Sequence, residues 1–366
     1  MRFAEVIHWA REVMREIDIH GLPIDPLHVC EVLNILVIPF SETKDDGFFE
    51  AIGIGSIDDL DGFCYSDGTG NFVIFYDDAR TPRERINFTI AHELGHIILG
   101  HMKNTTTRPR YMTNRKSDPR EKEADRFAGE LIRPPIPFVL TGCTRADDIQ
   151  SVCNITYEAA SVCSNLVQTM QRKRNDPYFF NDFRFYHEQF FNFIYAKYCG
   201  RCRHTFVSAD AKFCPVCGNE HLQWHNERLP ILILAAAGLE GQLVMKYKEY
   251  PVNKQNQVLR CIRCDNEDLR PEDRYCKICG APVYNYCAGQ YADVGYGDHE
   301  LDPRQSCGMI TLPSNARYCT SCGGISAFYH AQLLPHWESE AQENQNAEIS
   351  PESAQYFDFL DEDPPF

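Results

Sequence analysis

The sequence predicts an α+β domain followed by an array of small β modules, and three observations predict it. Through about the first 172 residues, apolar positions recur at helical spacing, interrupted by one pair of alternating segments. Within one of the helical stretches two histidines stand four residues apart around a glutamate. After residue 198 the texture changes to paired cysteines, short turns and isolated β-like runs such as 231–234 and 242–247. With 366 residues, 43% of them hydrophobic, the chain has enough apolar material for one sizeable core plus a second unit.

Phe3, Val6, Ile7, Ala10, Val13, Met14 and Ile17 recur at helical spacing and open the chain with an amphipathic helix; a second helix is expected over 27–36. Residues 62–65 and 72–76 flank the turn Asp67-Gly68-Thr69-Gly70-Asn71, a β-hairpin pattern. Helical period returns over 82–100, over 119–132 where Pro134-Pro135 stop it, and over 146–172 with a break at Asn154-Ile155-Thr156. The first domain is thus expected over 1–175. A stretch dense in Phe and Tyr, 176–198, reads as a linker helix, and 199–330 holds the cysteine modules. The segment 331–366 is acidic and Gln/Asn-rich, with too few apolar anchors to offset its chain entropy, so disorder is expected there.

The formal net charge of −16 argues against a protein held on nucleic acid by bulk charge. Nine of those negative charges lie after Trp337, where there is no Lys or Arg, so the rest of the chain is only mildly acidic. No apolar run approaches the roughly 20 residues that span a bilayer, and 1–18 carries charge throughout, unlike a signal peptide. A cytoplasmic protein without a membrane partner is expected. In a reducing compartment, 17 cysteines point to metal rather than to disulfides.

The most informative run is His92-Glu93-Leu94-Gly95-His96. On a helix its two imidazoles stand one turn apart on one face and can grip one ion, with Glu93 beside that face as general base. Zinc lowers the pKa of a bound water to about 7, so hydroxide becomes available at neutral pH. A hydrolytic zinc site needs a third protein ligand, and the helix over 119–132 offers Glu121, Glu123, Asp125 and Glu130. Ala124, Phe127, Ala128 and Leu131 form its buried stripe; Glu123 borders that stripe, whereas Glu121 aligns with Asp125 toward solvent. Spacing favours Glu123 only weakly.

The run Arg83-Glu84-Arg85-Ile86-Asn87-Phe88-Thr89-Ile90-Ala91-His92-Glu93-Leu94-Gly95-His96, followed by Glu121-Lys122-Glu123-Ala124-Asp125-Arg126-Phe127-Ala128, resembles the ImmA/IrrE family of metallo-endopeptidases. Asp125 stands where that family commonly has Asn. Asp61-Gly62-Phe63 with the hairpin, and the residues from Ile149 to Ala160, extend the likeness over roughly 5–172. The resemblance implies a zincin-like metalloprotease domain with a helix-turn-helix-like end. It implies one catalytic zinc held by His92, His96 and Glu123, with Glu93 as base. It also implies a protein substrate such as a helix-turn-helix repressor. An extended substrate is expected to pair with an exposed strand, Phe72–Tyr76 being the candidate. For the oxyanion, His101 and Tyr111 are near in sequence, but each reads better as a packing or surface residue.

Cys199, Cys202, Cys214 and Cys217 form a C-x2-C-x11-C-x2-C unit, repeated by Cys261, Cys264, Cys276 and Cys279. Each reads as a zinc ribbon, a tetrahedral thiolate site closed to water and hence structural. A third, irregular ribbon is expected from Cys287, Cys307, Cys319 and Cys322, with an insertion in its first knuckle and His299 as the rival ligand. About three structural zinc ions would accompany the catalytic one. Cys30, Cys64, Cys143, Cys153 and Cys163 read as small core residues. Arg201, Arg203, Lys212, Arg260, Arg263, Arg270 and Arg274 surround the first two ribbons, yet the acidic total favours protein over nucleic acid as what the ribbons bind. The alternative to an endopeptidase is a non-proteolytic regulator that keeps the protease fold and works through its ribbons; the intact Glu93 argues against it. A DNA-binding factor is disfavoured by charge.

Overall fold

The computed structural model describes residues 3–43, 47–54, 57–58, 60–79, 81–102, 107–109, 118–173, 180–224, 244–295 and 298–348. It divides into two compact units, Met1–Ile194 and Tyr195–Phe366. Among the described residues, no helix is long and apolar enough to cross a membrane.

The first unit runs α1 (Phe3–Glu16), α2 (Pro26–Val32), β1 (Leu36–Pro39), α3 (Phe40–Thr43), α4 (Phe48–Ala51), β2 (Gly62–Ser66), β3 (Phe72–Tyr76), α5 (Arg83–Ile98), β4 (Thr107–Pro109), α6 (Pro119–Ile132), α7 (Pro135–Thr141), α8 (Ala146–Cys153), α9 (Tyr157–Arg172), α10 (Phe180–Gln189) and α11 (Phe191–Tyr195). Four strands form one sheet in the order β1-β3-β2-β4. The expected hairpin is its centre, with Phe63 opposite Phe75 and Cys64 opposite Ile74. Strand alternation therefore sends the Phe pair to one face and the Cys–Ile pair to the other. Phe63 and Phe75 stack at 5.0 Å and meet Phe49. On its other side the sheet is covered by α5, which packs on β2 and β3.

Three expectations change here. β3 lies between β1, which it pairs in parallel, and β2, so both its edges are used and Phe72–Tyr76 cannot accept an extended peptide; β1 and β4 are the outer strands. The aromatic stretch is not a linker. α10 belongs to the first unit, where Tyr186 is fully buried and its hydroxyl donates to Glu130 at 2.9 Å. Glu130 in turn pairs with Arg11 at 3.1 Å, and Arg11 also pairs with Asp182, so one buried network ties α1, α6 and α10 together. The helix expected over 27–36 stops at Val32, and Leu36 begins β1.

In the second unit, β5 (Ala196–Cys199) pairs with β6 (Thr205–Val207) and β7 (Leu222–Trp224) around the first cysteine set. A long finger, β8 (Cys287–Gly295) and β9 (Asp298–Asp302), is the insertion expected between Cys287 and Cys307. β10 (Ile325–Ser326) closes that sheet on β8. The first part of the tail, 331–348, departs from the expected disorder, and 349–366 lie outside the described residues. Residues Trp337–Glu348 form a helix, with Trp337 packed into the first ribbon's core and Glu340 paired with the fully buried Arg317. These two anchors, a ring and a carboxylate answering a buried guanidinium, hold a segment whose composition alone promises none. The run 231–234 and Tyr111 lie outside the described residues. The architecture is thus α+β, a helical domain with one four-stranded sheet followed by cysteine-bearing ribbon modules with small three-stranded sheets.

Candidate metal centre

The metal-binding face is built where α5 meets α6. Gly95 permits the contact: a Cβ there would lie 3.1 Å from the Phe127 ring and 3.3 Å from the Ala124 backbone. α6 starts on Asp118, whose side chain accepts from the Arg120 N–H, with Pro119 in its first turn. Ala124 is the residue seated on Gly95, and one turn earlier on the same face comes position 121.

That is why the carboxylate reaching the imidazoles is Glu121, not Glu123 as the sequence reading has it. Glu121 Oε2 lies 3.2 Å from His92 Nε2, and its Oε1 lies 3.4 Å from His96 Nε2. The two Nε2 atoms are 3.1 Å apart. Far from facing solvent with Asp125, Glu121 is only 3% exposed. Glu123 instead binds His101 Nε2 at 2.9 Å. His101 reaches the site through the end of α5. The His101 N–H bonds the His96 carbonyl and the Gly100 N–H the Ile97 carbonyl, with Gly100 at φ 72°. This is the paired closure that a left-handed glycine allows at a helix end. It folds residue 101 back onto residue 96, so that His101 Nδ1 stands 2.9 Å from His96 Nδ1.

Hydrogen-bond partners set the tautomers. Glu123 can only accept, so His101 Nε2 donates to it and His101 Nδ1 accepts from His96 Nδ1–H. His92 Nδ1–H donates to Asp125 at 2.9 Å. Both ligand histidines then turn Nε2 lone pairs toward Glu121. Three acceptors with edges of 3.1–3.4 Å match a tetrahedron whose bonds are near 2.1 Å, which has edges of about 3.4 Å. A metal cation would satisfy such a set. Without one, burial works against a charged His92, but its hydrogen bonds to Asp125 and Glu121 and the nearby Glu93 outweigh burial and raise its pKa to about 9. Glu121 is pushed up by burial and pulled further down by its bonds with His92 and His96, and ends well below the usual carboxylate range. Glu93 is buried beside this cluster, and among the described residues its Oε2 has no hydrogen-bond partner.

Among the described residues, the other metal-type clusters are the three cysteine sets: Cys199, Cys202, Cys214 and Cys217; Cys261, Cys264, Cys276 and Cys279; Cys287, Cys307, Cys319 and Cys322. Their Sγ pairs stand at 3.4–3.6 Å, close to the edge of about 3.8 Å of a zinc–thiolate tetrahedron. The third set includes Cys287 and leaves out His299, which sits across the finger from Asp293. Cys30, Cys64, Cys153 and Cys163 are buried and Cys143 is half-buried. Burial pushes the thiols of Cys30, Cys143 and Cys163 up to about 12, as inert core residues require. Several basic residues of the ribbons are taken up internally: Arg260 pairs with Glu267 at 2.7 Å, Arg263 donates to the Ala331 carbonyl at 2.7 Å, and Arg201 lies over Trp337.

One feature missed by sequence reasoning was accessible to it: Gly100 at the end of α5 foretells the return of His101. The placing of Glu121 was not, because it depends on the contact between Gly95 and Ala124. No curated protein matches the chain. Residues 30–160 match the family model of the IrrE N-terminal-like domain, Peptidase_M78. That span lies within the first unit and holds both helices of the candidate site and the sheet beneath them, so the likeness to the IrrE N-terminal-like domain falls on the residues that build the site.

Proposed function

We propose that the chain is a zinc-dependent endopeptidase acting on a regulatory protein, with helix-turn-helix repressors as the first substrate class to test. The observation that carries this reading is Glu93: a buried carboxylate with one oxygen unpartnered among the described residues, next to three converging candidate ligands. A fold leaves such a group uncompensated at a cost of about 1–3 kcal/mol, and a proton acceptor for catalysis is a use that offsets the cost.

Zinc is the ion that suits both donor sets, imidazole with carboxylate and thiolate alone. Bound by His92, His96 and Glu121, it would supply a water of lowered pKa and polarise the scissile carbonyl. Glu93 would take the proton from the attacking water at its free oxygen and hand it to the leaving amine. Asp125 and the His101–Glu123 pair would hold the two imidazoles in the ligating tautomer. An extended peptide would pair along an outer strand of the sheet, β1 or β4. The three cysteine sets would take structural zinc, which asks for the reduced thiols of a cytoplasmic setting.

The test is Glu93→Gln in the full chain, co-expressed with candidate repressors and compared by proteomics with wild type. The variant should keep its metal content and melting behaviour and lose cleavage by roughly 10²–10⁴-fold. A variant that still cuts at the wild-type rate, or a wild type that cuts nothing while the variant keeps full biological activity, would remove the enzyme reading.

A further inference from the structure

The three ribbons end in the same sequence pattern, an aromatic residue, Cys-x-x-Cys and Gly: Phe213 to Gly218, Tyr275 to Gly280 and Tyr318 to Gly323. Their local geometry repeats as well. The glycines have φ of 71°, 70° and 72°, and each glycine N–H bonds the carbonyl of the first cysteine at 3.0, 2.8 and 2.9 Å.

Two of these knuckles are spent on one another. The N–H groups of Arg317 and Tyr318 bond the Pro215 carbonyl at 2.7 and 2.9 Å, and those of Lys212 and Phe213 bond the Thr320 carbonyl at 2.8 and 3.0 Å. In both directions the donors are the two residues before the first cysteine and the acceptor is the residue after it. The rings follow the same two-fold rule. A Cβ on Gly218 would lie 3.1 Å from the Tyr318 ring, and one on Gly323 would lie 3.0 Å from the Phe213 ring. Each aromatic residue therefore covers the glycine of the opposing knuckle.

The second ribbon's knuckle is the unpaired copy. Tyr275 is 53% exposed and Ile278 is 68% exposed, whereas its counterpart Val216 is fully buried. A Cβ on Gly280 would meet nothing within 4 Å. Among the described residues, the N–H groups of Arg274 and Tyr275 and the carbonyl of Lys277 have no hydrogen-bond partner, and these are the groups that pair in the other two ribbons. Lys277 is ion-paired with Asp268, which offsets its charge at this surface.

We propose that this knuckle, Tyr275-Cys276-Lys277-Ile278-Cys279-Gly280, is a self-association surface that pairs with the same knuckle of a second copy of the chain, in the two-fold manner of the first and third ribbons. The required partner surface is itself an aromatic-Cys-x-x-Cys-Gly knuckle, and the chain's other two are already engaged. A self-complementary patch with an odd number of copies per chain is satisfied by an isologous dimer. The dimer gains four backbone hydrogen bonds and two ring-on-glycine contacts. One knuckle pair is smaller than a standard interface, so the dissociation constant is on the order of 10 μM. The inference needs only the ribbons and stands apart from the peptidase reading.

Sedimentation of the full chain, purified without chelator, from about 1 to about 200 μM tests it. The wild type should pass from 42.1 kDa toward twice that mass. Gly280→Asn suits the left-handed backbone and meets nothing in the monomer, but would press on the opposing ring; it should weaken association at least about tenfold. Tyr275→Ser removes the covering ring and should do the same without touching the turn. A wild type that stays monomeric over the whole range overturns the proposal, as does a dimer that both variants leave intact.

Discussion

Replacing Glu121 and Glu123 separately by Gln distinguishes a ligand from a support on the same helix. Each substitution keeps volume and removes a buried negative charge. Glu121 lies within 3.4 Å of both ligand nitrogens, and its loss leaves the ion two protein donors. Breaking a buried charge pair costs about 3–5 kcal/mol, which corresponds to roughly 10²–10⁴-fold in affinity. Glu123 acts two hydrogen bonds away, through His101. Its loss should cost the 10- to 100-fold, about 1.4–2.7 kcal/mol, typical of groups that orient a metal ligand. The assay is metal content per chain across a series of buffered free-zinc concentrations. Among the described residues four clusters can hold an ion, and the N2O site should empty before the thiolate sites. Glu121→Gln should lose one ion per chain at concentrations where wild type retains all, and Glu123→Gln should shift the same step by a decade or two. Should Glu123→Gln lose the ion outright while Glu121→Gln keeps wild-type affinity, the derivation from the Gly95–Ala124 contact is refuted.

Two further outcomes follow from the packing. Glu130→Gln leaves Arg11 and Tyr186 facing a weakened acceptor inside the first unit, and should lower stability by about 3–5 kcal/mol, read as a lower denaturant midpoint with its slope unchanged. Exhaustive chelation should unfold the second unit, each of whose small cores includes cysteines of a metal-type set, while the helical circular dichroism of the first unit persists.

The legible parts of the fold were those with strong local signals. The helix over 119–132 begins and ends where its Asp-Pro start and Pro-Pro stop place it, and the hairpin forms around its Gly-rich turn. The cysteine sets were readable because ligand spacing is a property of the knuckle alone. What escaped depends on contacts distant in sequence. β1 and β4 are short strands given their identity by pairing with β3 and β2. The α10 stretch is aromatic because it packs into the first unit, where Tyr186 meets Glu130 of α6 and Arg11 of α1.

The geometry departs from the expectation for Glu123 for a related reason. A stripe argument presumes that a helix buries one face, but α6 packs against α5 on one side and α1 on another. Glu121 and Glu123 are two positions, or about 200°, apart on the helix, and both are buried. Burial therefore could not choose between them; only the contact that seats Ala124 on Gly95 does. That same doubled burial explains why the helix carries two glutamates. One side of α6 meets the imidazole lone pairs directly. The other side meets the strap after α5, where Gly100 has turned His101 back to hold the second imidazole from behind. A helix with a single buried face could supply the ligand or the support, whereas α6, enclosed on two sides, supplies both.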